Sequence, residues 1–374
     1  MELDRIGLSQ EIAIESDVAL EQSLEAGYTL PTNWYTNPDF YRAEQERIFG
    51  RSWQFAGLKD QLAQSGDFLT VQAGRVPVLV ACNQNGELRA FVNVCRHRGS
   101  ELVTEDCGNR RSFQCRYHAW TYALDGSLRA APGSKDEPEL HLSDFSLFPV
   151  KVDTWGPFVF VNVCPGAPLF ASILGELPSL VDRTGLRLDE IHGRERRTYR
   201  IEANWKIVVD NYLECYHCPV AHPAFCDLID LNDYEVSEFE YFSTQGGPTR
   251  KSGARRPYPI DGVVEDGFYS FLWPNFTINI YPGPGNVSLN TFVPIDHRTT
   301  LAIYDFCFVQ DVSPEEVTGF VEFVDQVQRE DTVLCEAVQR GLDSGRFDRG
   351  RLMLSKERAL RHFQKLVYGE MVRD

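Results

Sequence analysis

The sequence predicts an α+β protein in two parts, an all-β module followed by a domain of antiparallel sheet packed by helices. Three observations predict it. From Trp53 to about Val163, short apolar runs are broken by Gly, Pro and Asn, the pattern of short strands and turns. Beyond that, long stretches at helical spacing alternate with strand-like runs. At 374 residues and 43% hydrophobic, the chain can bury two cores and is not of disordered composition.

The elements follow in order. Residues 38–50 read as a short helix bounded by Pro38 and Gly50. Residues 68–73, 76–81 and 158–163 read as strands, with Asn85-Gly86 and Asp125-Gly126 as hairpin turns. Pro165 to Pro168 marks the exit from the module. Residues 204–218 contain no Pro or Gly and read as a helix that Pro219 breaks. Residues 289–293 and 301–309 are strand-like, with a turn from Asp296. Ser313-Pro314-Glu315-Glu316 opens a helix that runs to about Arg340, with Gly341 as its stop. A last amphipathic helix covers 355–371. The expected organisation is an N-terminal segment at 1–45, a first domain at 46–165 and a second at 166–374.

The net charge of −17 makes nucleic acid and anionic membranes poor partners. No basic stretch followed by an apolar run opens the chain, and no run of about 18 apolar residues occurs, so a cytoplasmic protein with no membrane span is expected. The chain has ten Cys. Most of Cys82, Cys107, Cys164, Cys215, Cys218, Cys226, Cys307 and Cys335 are expected to be reduced and buried.

The most informative motif is Cys95-Arg96-His97, then seventeen residues, then Cys115-Arg116-Tyr117-His118. Each arm holds one Cys and one His. Such a set can give two thiolates to one iron of a [2Fe–2S] cluster and two imidazoles to the other, which raises the reduction potential. A structural zinc site takes the same residue types, but its usual spacings pair like with like.

A second constellation follows in Asp210, Glu214, His217 and His222. On a continuous helix the first three share one face, and His222 can curl back past Pro219 toward the same point. Two imidazoles with one distant carboxylate form the facial triad of non-heme Fe(II) oxygenases. Phe320, Val324, Val327, Leu334 and Val338 make an apolar stripe in which Asp331 sits, with Glu330 at its edge and Asp325 opposite. An acid on an apolar stripe is costly unless paired or metal-bound, so Asp331 is the third candidate; pairing with an Arg is the alternative. These assignments use four of the eight His and leave His141, His192, His297 and His362 without a role.

From Trp53 to the C-terminal helix the chain resembles the oxygenase (α) subunits of Rieske non-heme iron oxygenases. The carriers are the two Cys/His arms, Asn204-Trp205-Lys206, Glu214-x-x-His217-x(4)-His222 and Asp331. The resemblance implies an all-β Rieske [2Fe-2S] domain held together by the ligands Cys95, His97, Cys115 and His118. It further implies a helix-grip antiparallel-sheet catalytic domain, with His217, His222 and Asp331 on a mononuclear Fe(II) that activates O2. Glu214 then matches the acid that bridges an iron-ligand His to a cluster His of the neighbouring subunit, a position often occupied by Asp. A homotrimer is implied, as is a separate reductase or ferredoxin that draws on NAD(P)H and flavin. Glu214-Cys215-Tyr216-His217-Cys218 looks more like the branch oxidising betaine- and carnitine-type quaternary amines, with N-demethylation as the net reaction. Ring-hydroxylating oxygenation of an arene is the alternative, and an electron carrier without catalytic iron is the alternative of another class.

Residues 268–281 hold six aromatic side chains. Phe276, Ile278 and Ile280 alternate like one buried strand face. Phe271, Trp273 and Tyr281 are left as candidates for a pocket wall, suited to a quaternary ammonium or to a flat arene alike. Asp210 can hydrogen-bond a ligand imidazole or lie near a cationic substrate, whereas Trp205 and Lys206 read as structural.

Overall fold

The structure is a computed structural model, and it describes residues 18–250, 256–309 and 312–373. Among the described residues the backbone divides into two compact units: residues 49–195 with 307–309, and the remainder.

The first unit is all-β, with short helices at its end. Its main sheet runs in the order Gln54–Leu58, Phe158–Asn162, Pro149–Trp155, Leu88–Val92, Val76–Cys82, Asp67–Ala73, Cys107–Asn109, every neighbour antiparallel. A small sheet of Phe113–Gln114, Thr121–Tyr122 and Leu128–Ala130 stands beside it. Val76–Cys82 is apolar on both faces because both are covered. Val78 and Val80 join Leu69, Val159 and Val161 on one side, while Leu79 and Ala81 join Phe68, Phe113 and Tyr122 on the other. Both predicted turns form. At Gly126 (φ 83°) the left-handed backbone is required, and a Cβ there would overlap the Phe91 ring.

The expected boundary at 165/166 falls too early. The helices Phe170–Leu174 and Leu177–Asp182 group with the first unit. Phe170 explains this: its ring lies 4.4 Å from Phe160 and 5.1 Å from Trp53, and Trp53 Nε1 donates to the Pro168 carbonyl.

The second unit is built on one seven-stranded sheet in the order Ile191–Ile201, Thr299–Val309, Asn286–Asp296, Phe276–Tyr281, Gly267–Leu272, Phe242–Gly247, Glu235–Glu238. Phe276, Ile278 and Ile280 are buried as their alternation predicts. The opposite face carries Gln245, Thr277, Asn279, Ser288 and Asn290, also buried. A buried polar sheet face is costly unless something uses it.

Two long helices accompany this sheet. Pro314–Asp343 opens at the predicted Ser313 cap, and Ser313 and Glu316 close it as a reciprocal capping box. It passes through Gly341 and ends before Gly345, which is the residue that turns left-handed (φ 65°). Arg358–Val372 is the last helix. The described part of the N-terminal segment belongs to this unit. There Pro38–Glu44 is followed by a π-helical turn, Gln45–Phe49. Glu44 and Lys206 form a fully buried ion pair, and Trp205 Nε1 donates to Glu44 at 2.8 Å, which gives Trp205 and Lys206 the structural role expected of them.

The expected helix over 204–218 is a correction. Asn204 caps it by accepting from the Lys206 N–H, but the helix is Trp205–Tyr212 only. The Glu214 carboxylate accepts the backbone N–H groups of Tyr216 and His217, which draws these residues out of the helical pattern into a separate turn. Asp210, Glu214 and His217 therefore do not share one helical face. The same turn brings Cys215 and Cys218 together as a disulfide with Cα atoms 5.0 Å apart. Cysteine usage departs further from expectation. Cys82, Cys307 and Cys335 are buried, Cys164 and Cys226 are partly exposed, and Cys107 is exposed on an edge strand.

Candidate metal centres

The two Cys/His arms of the first unit are loops built alike. In each, the Cys N–H donates to the carbonyl five residues on, that of Ser100 or Trp120, at 2.8 Å. The Cys carbonyl accepts from the N–H four residues on, that of Gly99 or Ala119, at 3.0 Å. That closing residue is left-handed in both loops, φ 72° at Gly99 and 57° at Ala119. The thiols lie at the base and the imidazoles at the tip: Cys95 and Cys115 are buried, His97 and His118 exposed. The two imidazoles are neighbours, with centroids 4.5 Å apart, and Trp120 stacks on His97. Burial pushes the Cys95 thiol up and the adjoining Cys115 adds to this, against the Tyr122 hydroxyl and a His97 backbone contact.

The geometry of the quartet sorts its donors by type. Among the described residues, the His/Cys/Asp/Glu group whose ligand atoms all lie within 4.8 Å of one another is His217, His222 and Asp331. The Cys/His quartet is not such a group. Its thiols adjoin each other and its imidazoles adjoin each other, which suits two irons with different donors.

In the second unit the three candidate mononuclear ligands converge. His217 Nε2 and His222 Nε2 are 3.1 Å apart, and Asp331 Oδ1 lies 2.9 Å from His222 Nε2 and 3.4 Å from His217 Nε2. Each imidazole is held from behind by a carboxylate. Glu214 Oε1 meets His217 Nδ1, and Glu330 Oε2 meets His222 Nδ1 at 2.7 Å. This is the carboxylate–histidine arrangement that orients metal-ligating imidazoles. Burial alone would lower the His217 pKa, but the Asp331 and Glu214 carboxylates raise it to about 9. Burial would likewise raise the Asp331 pKa, but the two imidazoles hold it below the ordinary carboxylate value. Three carboxylates around two imidazoles leave the site electronegative, and it fits a divalent cation.

Sequence reasoning left Glu330 at the edge of the stripe with no role. The available signal was the rule that a ligating His gives its second nitrogen to an acid. Glu330→Gln is expected to weaken iron binding about 10- to 100-fold while leaving the cluster spectrum unchanged, measured by iron titration of the apoprotein. The stripe itself divides. Phe320 and Val324 are buried, whereas Leu334 and Val338 are 36% and 49% exposed.

Asp210 does not reach a ligand imidazole. Its Oδ2 accepts from Tyr35 and from Gln364, both at 2.9 Å. Burial pushes its carboxyl up from the ordinary 3.8 to about 7, against those hydrogen bonds and the Lys206 charge. The folded chain then binds more protons than the unfolded one between these values, so stability falls as pH rises from about 4 to about 7. Asp210→Asn should raise the melting temperature at pH 8 relative to the parent, and the gain should vanish at pH 4.

The ligands open onto a cavity of about 590 Å³, counted with its mouth. Its wall includes Tyr212, Tyr234, Tyr269, Tyr281 and Tyr304, the amides Gln245, Asn279 and Asn290, and the acids Glu214 and Asp331. Of the three wall candidates only Tyr281 lines it. Phe271 and Trp273 instead pack on Phe363 of the last helix, at 5.6 and 5.9 Å between centroids.

Family models match both units: the Rieske [2Fe-2S] domain over residues 52–151, and the ring hydroxylating alpha subunit (catalytic domain) over residues 188–372. The choline monooxygenase of Arabidopsis thaliana is 36% identical over 93% of this chain and 84% of its own length. The chain belongs to the Rieske non-heme iron oxygenases, as an oxygenase (α) subunit. The carnitine monooxygenase oxygenase subunit of Escherichia coli K12 is 32% identical to this oxygenase over 92% of this chain and 94% of its own. The crystal structure of the quaternary ammonium Rieske monooxygenase CntA with an inhibitor superimposes with a TM-score of 0.86 at 30% identity, covering 96% and 99% of the two chains. A naphthalene 1,2-dioxygenase from Rhodococcus shares the fold at a TM-score of 0.78 and 20% identity, covering 95% of this chain and 99% of its own. The oxygenase therefore uses a Rieske cluster and a mononuclear iron with reductase-supplied electrons. None of its described helices is long and apolar enough to cross a membrane.

Proposed function

We propose that this oxygenase hydroxylates a quaternary ammonium compound. The observation that carries the reading is the cavity at His217, His222 and Asp331, walled by tyrosine rings and two acids. A quaternary ammonium has no N–H to donate and is held by aromatic faces and negative charge. The relatives named for choline and carnitine point the same way. The hydroxyls and amides of that wall suit a polar cation better than a bare arene, and three converging ligands speak against a pure electron carrier.

Cys95, His97, Cys115 and His118 would hold the cluster, and His217, His222 and Asp331 the mononuclear iron. That iron, when bound, supplies dioxygen activation at the positions a facial triad leaves open. The residues of the chain do the rest. Glu214 and Glu330 aim the two imidazoles, and the tyrosines hold the cation and keep water out. Hydroxylation of a C–H next to nitrogen consumes O2, two electrons and two protons and returns water. From an N-methyl group the product is a carbinolamine, which loses formaldehyde.

Electrons would enter through Glu214 from the cluster of a neighbouring copy in a homotrimer. In support, Leu334, Val338 and the exposed Phe347 line a second hollow that also reaches Glu214 and His217. An apolar rim at that point suits a subunit contact.

The test is oxygen uptake and product analysis with choline, carnitine, glycine betaine and benzoate in the presence of a compatible reductase. Coupled uptake is expected with at least one quaternary ammonium. Coupled uptake with benzoate alone would replace this reading by the arene one.

A further inference from the structure

The turn that carries the first candidate iron ligand also carries a disulfide. Cys215 follows Glu214 and Cys218 follows His217, so the Cys215–Cys218 bridge encloses the ligand. The two Cα atoms are 5.0 Å apart, within the span a disulfide needs. A bridge across so short a loop constrains the unfolded chain little, so its effect on the folded protein is local.

Few other bonds hold this turn together. Glu214 accepts the backbone N–H groups of Tyr216 and His217 and meets His217 Nδ1. The Cys218 N–H donates to the Cys215 carbonyl at 3.3 Å, a long hydrogen bond between the same two residues that the sulfurs join. Just beyond, the Cys218 carbonyl accepts from the His222 N–H at 2.9 Å. The bridge therefore ties the neighbour of Glu214 to the residue that anchors the second imidazole. Once it opens, residues 214–218 are held to one another by the Glu214 contacts and one long hydrogen bond.

The pair is also placed for exchange. Both cysteines line the cavity at the ligands, and neither lines the second hollow, on which a neighbouring copy would sit. A subunit contact at that hollow leaves the pair within reach of the cavity mouth. Cys215 is partly exposed, whereas Cys218 is 5% exposed, so Cys215 offers the sulfur that a thiolate can attack. The Cys-x-x-Cys spacing favours thiolate formation and hence exchange.

We infer that Cys215 and Cys218 form a thiol–disulfide switch on electron delivery. Closed, the bridge holds Glu214 against His217; open, it lets that contact loosen and slows the transfer. The step is exchange with a dithiol. A thiolate of the dithiol attacks the Cys215 sulfur, the Cys215–Cys218 bond breaks, and Cys218 leaves as a thiolate. The second thiol of the reagent then displaces Cys215. The reagent ends as its own disulfide, and two electrons and two protons end on the two cysteines. Exchange with a small disulfide runs the same steps backwards. The inference rests on the bridging role proposed above for Glu214.

The experiment uses the full-length holoenzyme, as purified and after anaerobic treatment with dithiothreitol that is then removed. Alkylation of the denatured chain should find two more thiols after treatment, on the peptide that holds Cys215 and Cys218. With the cluster reduced by a compatible reductase, its reoxidation by O2 and a quaternary ammonium substrate is followed by rapid mixing. Treatment should slow that reoxidation about 10-fold, the lower end of what a ligating His loses with its outer partner. Release of the mononuclear iron to a chelator, which needs no substrate, should quicken. Glutathione disulfide should restore both. The combined variant Cys215→Ser/Cys218→Ser should behave as the treated enzyme and no longer respond to dithiothreitol. The inference is overturned if treatment exposes no new thiols at this pair, or if it exposes them and leaves both rates at the parent's values. A Glu214→Gln variant whose cluster reoxidises at the parent's rate removes the bridging role itself, which is a separate outcome.

Discussion

His217→Ala is expected to give a coloured protein that no longer turns over. Its imidazole is one of three candidate ligands in a compact set with His222 and Asp331, so its loss would leave two donors and an unbalanced acid. The mononuclear iron should leave, while the cluster of the other unit, which shares no ligand with it, should stay. Metal-ion catalysis is worth several kcal/mol, and a loss of about 4 kcal/mol corresponds to about a thousandfold in rate. Substrate-dependent oxygen uptake should therefore fall by about a thousandfold or more, with the cluster absorbance and reduction by dithionite unchanged. Uptake within tenfold of the parent would mean that the catalytic iron sits elsewhere or does not exist.

Glu214→Gln separates electron delivery from metal binding. Glu214 contacts His217 Nδ1 and also gathers two backbone N–H groups of the turn. Gln keeps the shape and one acceptor oxygen but removes the charge that we propose links His217 to the cluster of a neighbouring copy. Both metal centres should load, and the pre-reduced enzyme should still complete a single turnover. Steady-state turnover should drop about 100-fold, the scale of losing the outer partner of a metal-ligating His. In rapid mixing, reoxidation of the reduced cluster by substrate and O2 should slow by the same factor. Full steady-state turnover in this variant would remove the bridging role.

Much of this was legible in the sequence because the decisive features are local. The Cys/His arms are short loops whose spacing alone divides the ligands between two metals. Asp331 could be chosen from a helix pattern because an acid among Phe320, Val324 and Val327 needs a partner. Other features were set by bonds that spacing does not show. The helix stops at Tyr212 because a single carboxylate, Glu214, takes two backbone N–H groups. Glu330 acquires its role only when His222 arrives from a distant turn. Phe271 and Trp273 carry the same residue types as a pocket wall but meet Phe363, so the last helix, not their own strand, decides their place. The buried polar face with Gln245, Asn279 and Asn290 was invisible because it is assembled from three strands.

One chain carries both a [2Fe–2S] cluster and a separate mononuclear iron. This is tested most directly by metal and acid-labile sulfide analysis of the anaerobically purified protein, with EPR after dithionite reduction. Two cluster irons, two sulfides and one further iron per chain are expected, with a reduced-cluster signal of mixed thiolate and imidazole ligation. A colourless protein containing zinc and no labile sulfide would contradict it.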